Sequence, residues 1–297
     1  MPSLKGRVLL ALLRGATAGT RLVPRRAAEP LCWTAGAAWY AGAPAARRAV
    51  RANLRQILGH EPSTRQVLAV FMHGALNYWD TFALPQLRPE QILGLVDVEG
   101  WEHLDAALGA GKGAILAGAH LSSVALAGQT VAARGHRVVG VVEEMNPPEV
   151  FEFLNQLRQA FGVRLHPVGP GAARELLAAL RRNEVIGLIA DRDVLGTGPT
   201  VRFFGTPTTF PDGPATLSLR TGAPILPAVA VRRRDGSFRA WIEPPLLAPR
   251  TGNAKQDVRA LTQALARRLE YYIGVHPEQW TVFQRRWPDT VFKDSGA

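Results

Sequence analysis

The sequence predicts an α/β fold: a mixed, mostly parallel sheet flanked by helices, preceded by an N-terminal helical membrane-contact segment. Three observations predict it. From about residue 110 onward, short apolar runs bounded by turn residues alternate with helix-period patterns, the signature of a sheet covered on both faces. The last two runs flank Arg234-Asp235-Gly236, which reads as a hairpin turn and makes the sheet mixed rather than purely parallel. The first 60 residues are basic and amphipathic, unlike the remainder.

Taken in order, Val8, Leu9, Leu10, Leu12 and Leu13 form an apolar run, and Arg7, Arg14 and Arg21 recur every seven residues near one helix face. Such a helix can lie in a membrane interface, but the run stops at Arg14, far short of the roughly 20 residues a span needs. Residues 30–46 are uncharged; Trp33, Trp39 and Tyr40 suit a shallow interfacial helix, with Gly36, Gly42 and Pro44 expected to interrupt it. The short apolar run and the arginines after it argue against a cleaved signal peptide.

Val50, Leu54 and Leu58 mark an amphipathic helix over 47–58 closed by Gly59, and a second helix runs from Ser63 to Leu84, before Pro85. Strands are expected at 114–117, 138–142, 185–190, 225–231 and 238–242. The helices between and after them fall at 122–133, 148–161, 172–182, 215–220 and about 255–273. With no internal repeat or low-complexity linker, the chain divides into a basic amphipathic segment, 1–46, and one α/β domain, 47–297.

Composition narrows the function. Of 297 residues, 47% are hydrophobic and 20% charged, enough for a core and too apolar for a disordered chain. A single cysteine, Cys32, excludes an internal disulfide and a cysteine-built zinc site, and fits a reducing compartment. The formal charge is +11, and residues 1–60 hold ten basic side chains against one acid, Glu29. A segment of that kind fits an anionic membrane surface, with packing of its helices on the core as the open alternative; nucleic acid is disfavoured because no recognised binding module is present.

The stretch 113–128 carries chemistry. An apolar strand ends just before His120, and Ser122 or Ser123 is placed to cap the next helix. His120 thus falls at the carboxyl edge of the sheet, where open α/β sheets bind ligands. An imidazole there can take a proton from an alcohol at neutral pH, although a histidine satisfied within a turn is an equally open reading. Gly196-Thr197-Gly198 is either a phosphate nest or a plain turn. His166 and His276 lack a supporting motif and read as structural.

The segment around His120 resembles the His-x4-Asp/Glu block of the bacterial lipid A biosynthesis (lauroyl) acyltransferase family. That family includes the phosphatidylinositol mannoside acyltransferases and belongs to the wider glycerolipid acyltransferase group. Residues 190–227 match a long diagnostic block with its Ala190-Asp191-Arg192-Asp193 start, Phe203-Phe204-Gly205-Thr206-Pro207 core and Arg220-Thr221-Gly222-Ala223-Pro224 end. Val50-Arg51-Ala52-Asn53 resembles the family's early helix; Val142-Glu143-Glu144 with Phe151 to Arg158 resembles its middle block.

The resemblance implies a glycerolipid acyltransferase-like fold and an O-acyltransferase at the cytoplasmic face of the cell inner membrane. It would move a fatty acyl chain from acyl-CoA or acyl carrier protein to a hydroxyl of a membrane lipid or glycolipid, with no metal and no redox cofactor. It implies that His120 is the general base, with Glu143 and Asp193 in the catalytic set. Arg158, Arg192 and Asp191 are implied to hold substrate, Arg158 through the polar head of a ligand.

One position departs from the pattern: the acid expected five residues after the histidine is Ala125. Either Asp193, Asp191 or Glu143 substitutes for it, or the dyad is damaged and the chain is a catalytically impaired, lipid-binding member. With at most partial substitution, the expected activity is weak but not zero, and Ala125→Asp is expected to raise turnover substantially.

Overall fold

The computed structural model describes residues 4–23, 25–247 and 251–287. Four helices come first: α1 (Leu4–Gly19), α2 (Arg25–Gly42), α3 (Pro44–Leu58) and α4 (Thr64–Ala83). Gly59 closes α3 in the left-handed region, where a side chain would strain the backbone. Ser63 opens α4 with a reciprocal cap, its hydroxyl accepting from the Gln66 N–H while the Gln66 side chain accepts from the Ser63 N–H.

The α/β part follows as α5 (Pro89–Leu95), β1 (Val96–Glu99), α6 (Trp101–Gly109), β2 (Ala114–Gly118), α7 (Val124–Ala133), β3 (Val138–Val142), α8 (Pro148–Arg158), β4 (Arg164–Pro167), α9 (Pro170–Arg181), β5 (Val185–Ile189), β6 (Thr200–Phe203), β7 (Thr206–Thr209), α10 (Gly213–Thr221), β8 (Ile225–Arg232), β9 (Phe238–Ile242) and α11 (Ala254–Val275). Seven strands form one sheet in the order β1-β9-β8-β2-β5-β3-β4; β6 and β7 make a separate hairpin. All pairings in the sheet are parallel except β8 with β9, joined through the turn at Gly236. The expected mixed sheet is therefore present. Sequence reading missed β1, β4 and the β6–β7 hairpin, all four-residue strands, and the helices α5 and α6.

Two apolar clusters fill the two faces of the sheet. Ile115, Ala117, Ile186 and Leu188 point to the side covered by α9, α10 and α11, while Ala114, Leu116, Val138 and Val185 point to the other. Alternate residues of β2 thus serve both layers, which is why these strands read as continuous apolar runs.

The first two helices dock on the domain. Ala28, Cys32 and Gly36 of α2 are buried at helical spacing. A Cβ at Gly36 would lie 2.7 Å from the Met72 Cα, so this glycine is what lets α2 approach α4. The expected interruption at Gly36 does not occur; α2 runs on to Gly42. Trp39 packs 4.3 Å from Phe283 at an interplanar tilt of 35° and edge-on to Phe71 at 5.3 Å, so it packs into the helical layer, whereas Trp33 is exposed. On α1, Leu13 packs with Phe82, Val150, Leu154 and Leu157, leaving Val8, Leu9 and Leu12 exposed beside Arg7 and Arg14. No helix among the described residues is long and apolar enough to cross a membrane.

Candidate active site

Register brings the central pair together. β2 and β5 are parallel neighbours with Gly118 opposite Ile189. Two residues past each of those positions lie His120 and Asp191, 71 apart in sequence and adjacent in space. His120 Nδ1 is 2.7 Å from Asp191 Oδ1, and the His120 backbone N–H donates to Asp191 Oδ2 at 2.9 Å. A carboxylate only accepts, so Nδ1 carries the proton and Nε2 is left as the acceptor. The imidazole is about a third exposed and Asp191 is fully buried.

Burial alone would raise the Asp191 pKa. The His120 charge, the two bonds from His120 and one from the Trp280 indole outweigh that, and the carboxyl is held below its ordinary value. Trp280 Nε1 donates to Asp191 Oδ2 at 2.7 Å, and Arg286 Nε donates to the Asp191 carbonyl at 2.7 Å. Arg286 also donates to Thr208 Oγ1 and the Thr209 carbonyl, and burial pushes its guanidinium down to about 10. Neither Trp280 nor Arg286 was singled out from the sequence; both follow the long last helix, and no spacing rule connects them to position 191.

Ala125 sits on α7 and packs with Leu126, Ala127 and the apolar cluster around Leu84, Ile92 and Phe238. The carboxylate absent at 125 comes instead from the segment after β5, where Asp191 contacts the imidazole directly. Neither serine caps α7: Ser123 is its N-cap residue without a side-chain bond, and Ser122 has φ 54°. Both hydroxyls are buried, with no hydrogen-bond partner among the described residues.

Of the remaining sequence-predicted residues, Glu143, Arg192 and Asp193 lie just past the carboxyl ends of β3 and β5. Glu143, one residue past β3, is half-exposed and meets Arg192 Nη1 at 3.2 Å, a surface pair of the kind contributing about 0–1 kcal/mol. Asp193 does not face His120. Its carboxylate accepts from the Gly196 and Gly198 N–H groups at 3.0 and 2.9 Å, so of the two readings of this loop the plain turn, closed from within, is the one present.

Arg158 ends α8 half-buried. Burial lowers its pKa, the nearby Tyr78 acts in the opposite direction, and its guanidinium has no ion pair or hydrogen bond among the described residues. A cation desolvated without a partner is costly, and an anionic ligand would relieve it.

A family model for bacterial lipid A biosynthesis acyltransferases matches residues 6–289. The chain belongs to this family. Among curated proteins, the acyltransferase is 34% identical over 247 residues to a phosphatidylinositol mannoside acyltransferase of Mycobacterium tuberculosis, covering 80% of this chain and 76% of that protein. It is 31% identical over 283 residues to the protein of the same name from Mycolicibacterium smegmatis, covering 92% and 90% respectively. The acyltransferase thus has Ala125 where the resemblance implies an acid, and Asp191, two residues past β5, against the His120 imidazole.

Proposed function

We propose that this acyltransferase is an O-acyltransferase that moves a fatty acyl chain from acyl-CoA or acyl carrier protein to a hydroxyl of a phosphatidylinositol mannoside or a related glycolipid. The contact between His120 and Asp191 carries the reading. Nε2 of His120 takes the hydroxyl proton as the acceptor oxygen attacks the thioester carbonyl, and Asp191 steadies the imidazolium formed. Collapse of the tetrahedral intermediate breaks the C–S bond. The imidazolium returns its proton to the departing thiolate, leaving an ester and a free thiol.

Arg158, without an ionic partner, is proposed to hold an acceptor or donor phosphate through its planar donor fork. Glu143 and Arg192 stand beside the site as a charged pair that a polar substrate can open. Asp193 acts on loop shape rather than on the reacting atoms. The impaired, lipid-binding reading is disfavoured, because the buried Asp191 supplies the carboxylate whose absence at 125 suggested it.

The protein works, in this proposal, as a peripheral protein at the cytoplasmic face of the inner membrane. Arg7, Arg14 and Arg21 would meet anionic headgroups, and Val8, Leu9, Leu12 and Leu22, all exposed, would enter the acyl boundary. The test is transfer of radiolabelled palmitate from palmitoyl-CoA to phosphatidylinositol mannoside by the purified protein. Transfer that disappears in His120→Gln supports the reading. Equal transfer by that variant would sink it, and no transfer to this acceptor or to extracted lipids would return the lipid-binding alternative.

A further inference from the structure

We infer that Trp280 is a positioning residue for the dyad: its indole N–H, donated to Asp191 Oδ2 at 2.7 Å, fixes the carboxylate in the one rotation that serves His120. The inference rests on the proposed base role of His120 and adds to it a residue outside the motif blocks.

The geometry leaves Asp191 little freedom. Oδ1 is engaged by the His120 ring, and Oδ2 by both the His120 backbone N–H and the indole. A carboxylate with three donors in fixed directions cannot rotate without breaking at least one of those bonds. The donors come from two chain segments, and the second grips the histidine too. The Thr281 N–H donates to the His120 carbonyl at 2.9 Å, and the Ser122 N–H donates to the Gln279 carbonyl at 2.9 Å, so residues 279–281 run antiparallel beside 120–122. Trp280 lies between those two bonds with its side chain turned to Asp191. One three-residue segment therefore sets the backbone of the base and the carboxylate that orients it.

The segment is itself braced. Asn77 of α4 donates to Thr281 Oγ1 at 3.2 Å, and Asn53 of α3 donates to the Val282 and Gln284 carbonyls at 3.2 and 2.9 Å. The indole is 2% exposed and sits near Phe203 and Trp287. An apolar ring would satisfy that packing equally well. The N–H is what a phenylalanine would not supply, and its partner is a buried carboxylate rather than water.

The test separates positioning from packing by removing only the donor. Trp280→Phe keeps a buried ring; benzothienylalanine at 280 keeps the full bicyclic shape without an N–H, and guards against misfolding of the first variant. Palmitoyl transfer to phosphatidylinositol mannoside is followed from pH 4.5 to 9, with near-ultraviolet circular dichroism as a check on packing. Losing this donor makes the Asp191 carboxylate easier to protonate, so the pH at which kcat/KM falls on the acid side moves upward, and kcat drops by roughly tenfold or more with KM little changed.

An unmoved acid limb in the benzothienylalanine protein, with activity retained or lowered equally at every pH, would overturn the proposal. Failure of the dyad reading shows separately: His120→Gln and Asp191→Asn would then keep transfer activity whatever Trp280 does.

Discussion

The Asp191 carboxylate meets His120 at two points, the ring Nδ1 at 2.7 Å and the backbone N–H at 2.9 Å. The first contact sets the tautomer, and the second ties the carboxylate to the turn that presents the ring. Because β2 and β5 are directly hydrogen-bonded neighbours, their register sets the segments just past the two strand ends side by side, and both contacts form between those segments. An imidazole held this way is oriented before any substrate arrives.

Asp191→Asn should lower kcat by about 10²–10⁴-fold, within the usual range for general acid–base contributions, while His120→Ala removes transfer. Ala125→Asp should give no gain, because the histidine already has its carboxylate. It should instead lower stability by about 1–3 kcal/mol as a charge enters the apolar cluster at α7. Turnover assays and urea unfolding check the three variants; a rise in turnover for Ala125→Asp would show that Asp191 is not the working partner.

Stability should depend on pH through His73, which burial, with Arg232 and His276 nearby, holds down at about 4. An unfolded histidine titrates near 6.5, so between those values the unfolded chain binds a proton that the folded chain refuses. Stability is undiminished by this group above about pH 6.5 and falls by a total on the order of 3 kcal/mol as the pH approaches 4. Urea titrations at several pH values should show a shallower loss in His73→Gln across that window.

Arg158→Lys preserves the charge but loses the paired donors. The half-saturating concentration of one substrate, acceptor or donor, should rise about tenfold, with kcat within a few fold. Unchanged constants for both substrates would remove Arg158 from the binding site.

Charge reversal at Arg7, Arg14 and Arg21 should weaken binding to vesicles containing anionic lipid, and raised salt should have the same effect on the parent protein. Sedimentation with phosphatidylglycerol-containing vesicles measures both. Substitution is a cleaner test than deleting residues 1–46, because α2 buries Cys32 and Gly36 against α4 and its removal would uncover the core. Binding equal to the parent's would assign α1 to packing alone.

Some of this was legible in the chain itself. The helix start at Ser63, the glycine after Leu58 and the turn at Gly236 act locally, and their elements came out within a few residues. Strands buried on both faces showed as apolar runs, and His120 was placed at the carboxyl edge from its position after one of them. Four-residue strands such as β1 and β4 were missed because so few residues carry no period, and their existence depends on the neighbours they pair with.

The sequence by itself determined the fold class, the family blocks, the histidine and the basic amphipathic start, all of which are patterns of near neighbours along the chain. The tertiary structure alone decided which carboxylate serves His120. The family resemblance put Asp193 and Glu143 in the catalytic set and Asp191 with the substrate; β2–β5 register instead brings Asp191 to the imidazole, the Gly196 and Gly198 amides take Asp193, and Arg192 takes Glu143. Tertiary structure also revealed Trp280 and Arg286, because a hydrogen bond across 89 or 95 residues leaves no trace in local spacing and exists only once the sheet has closed.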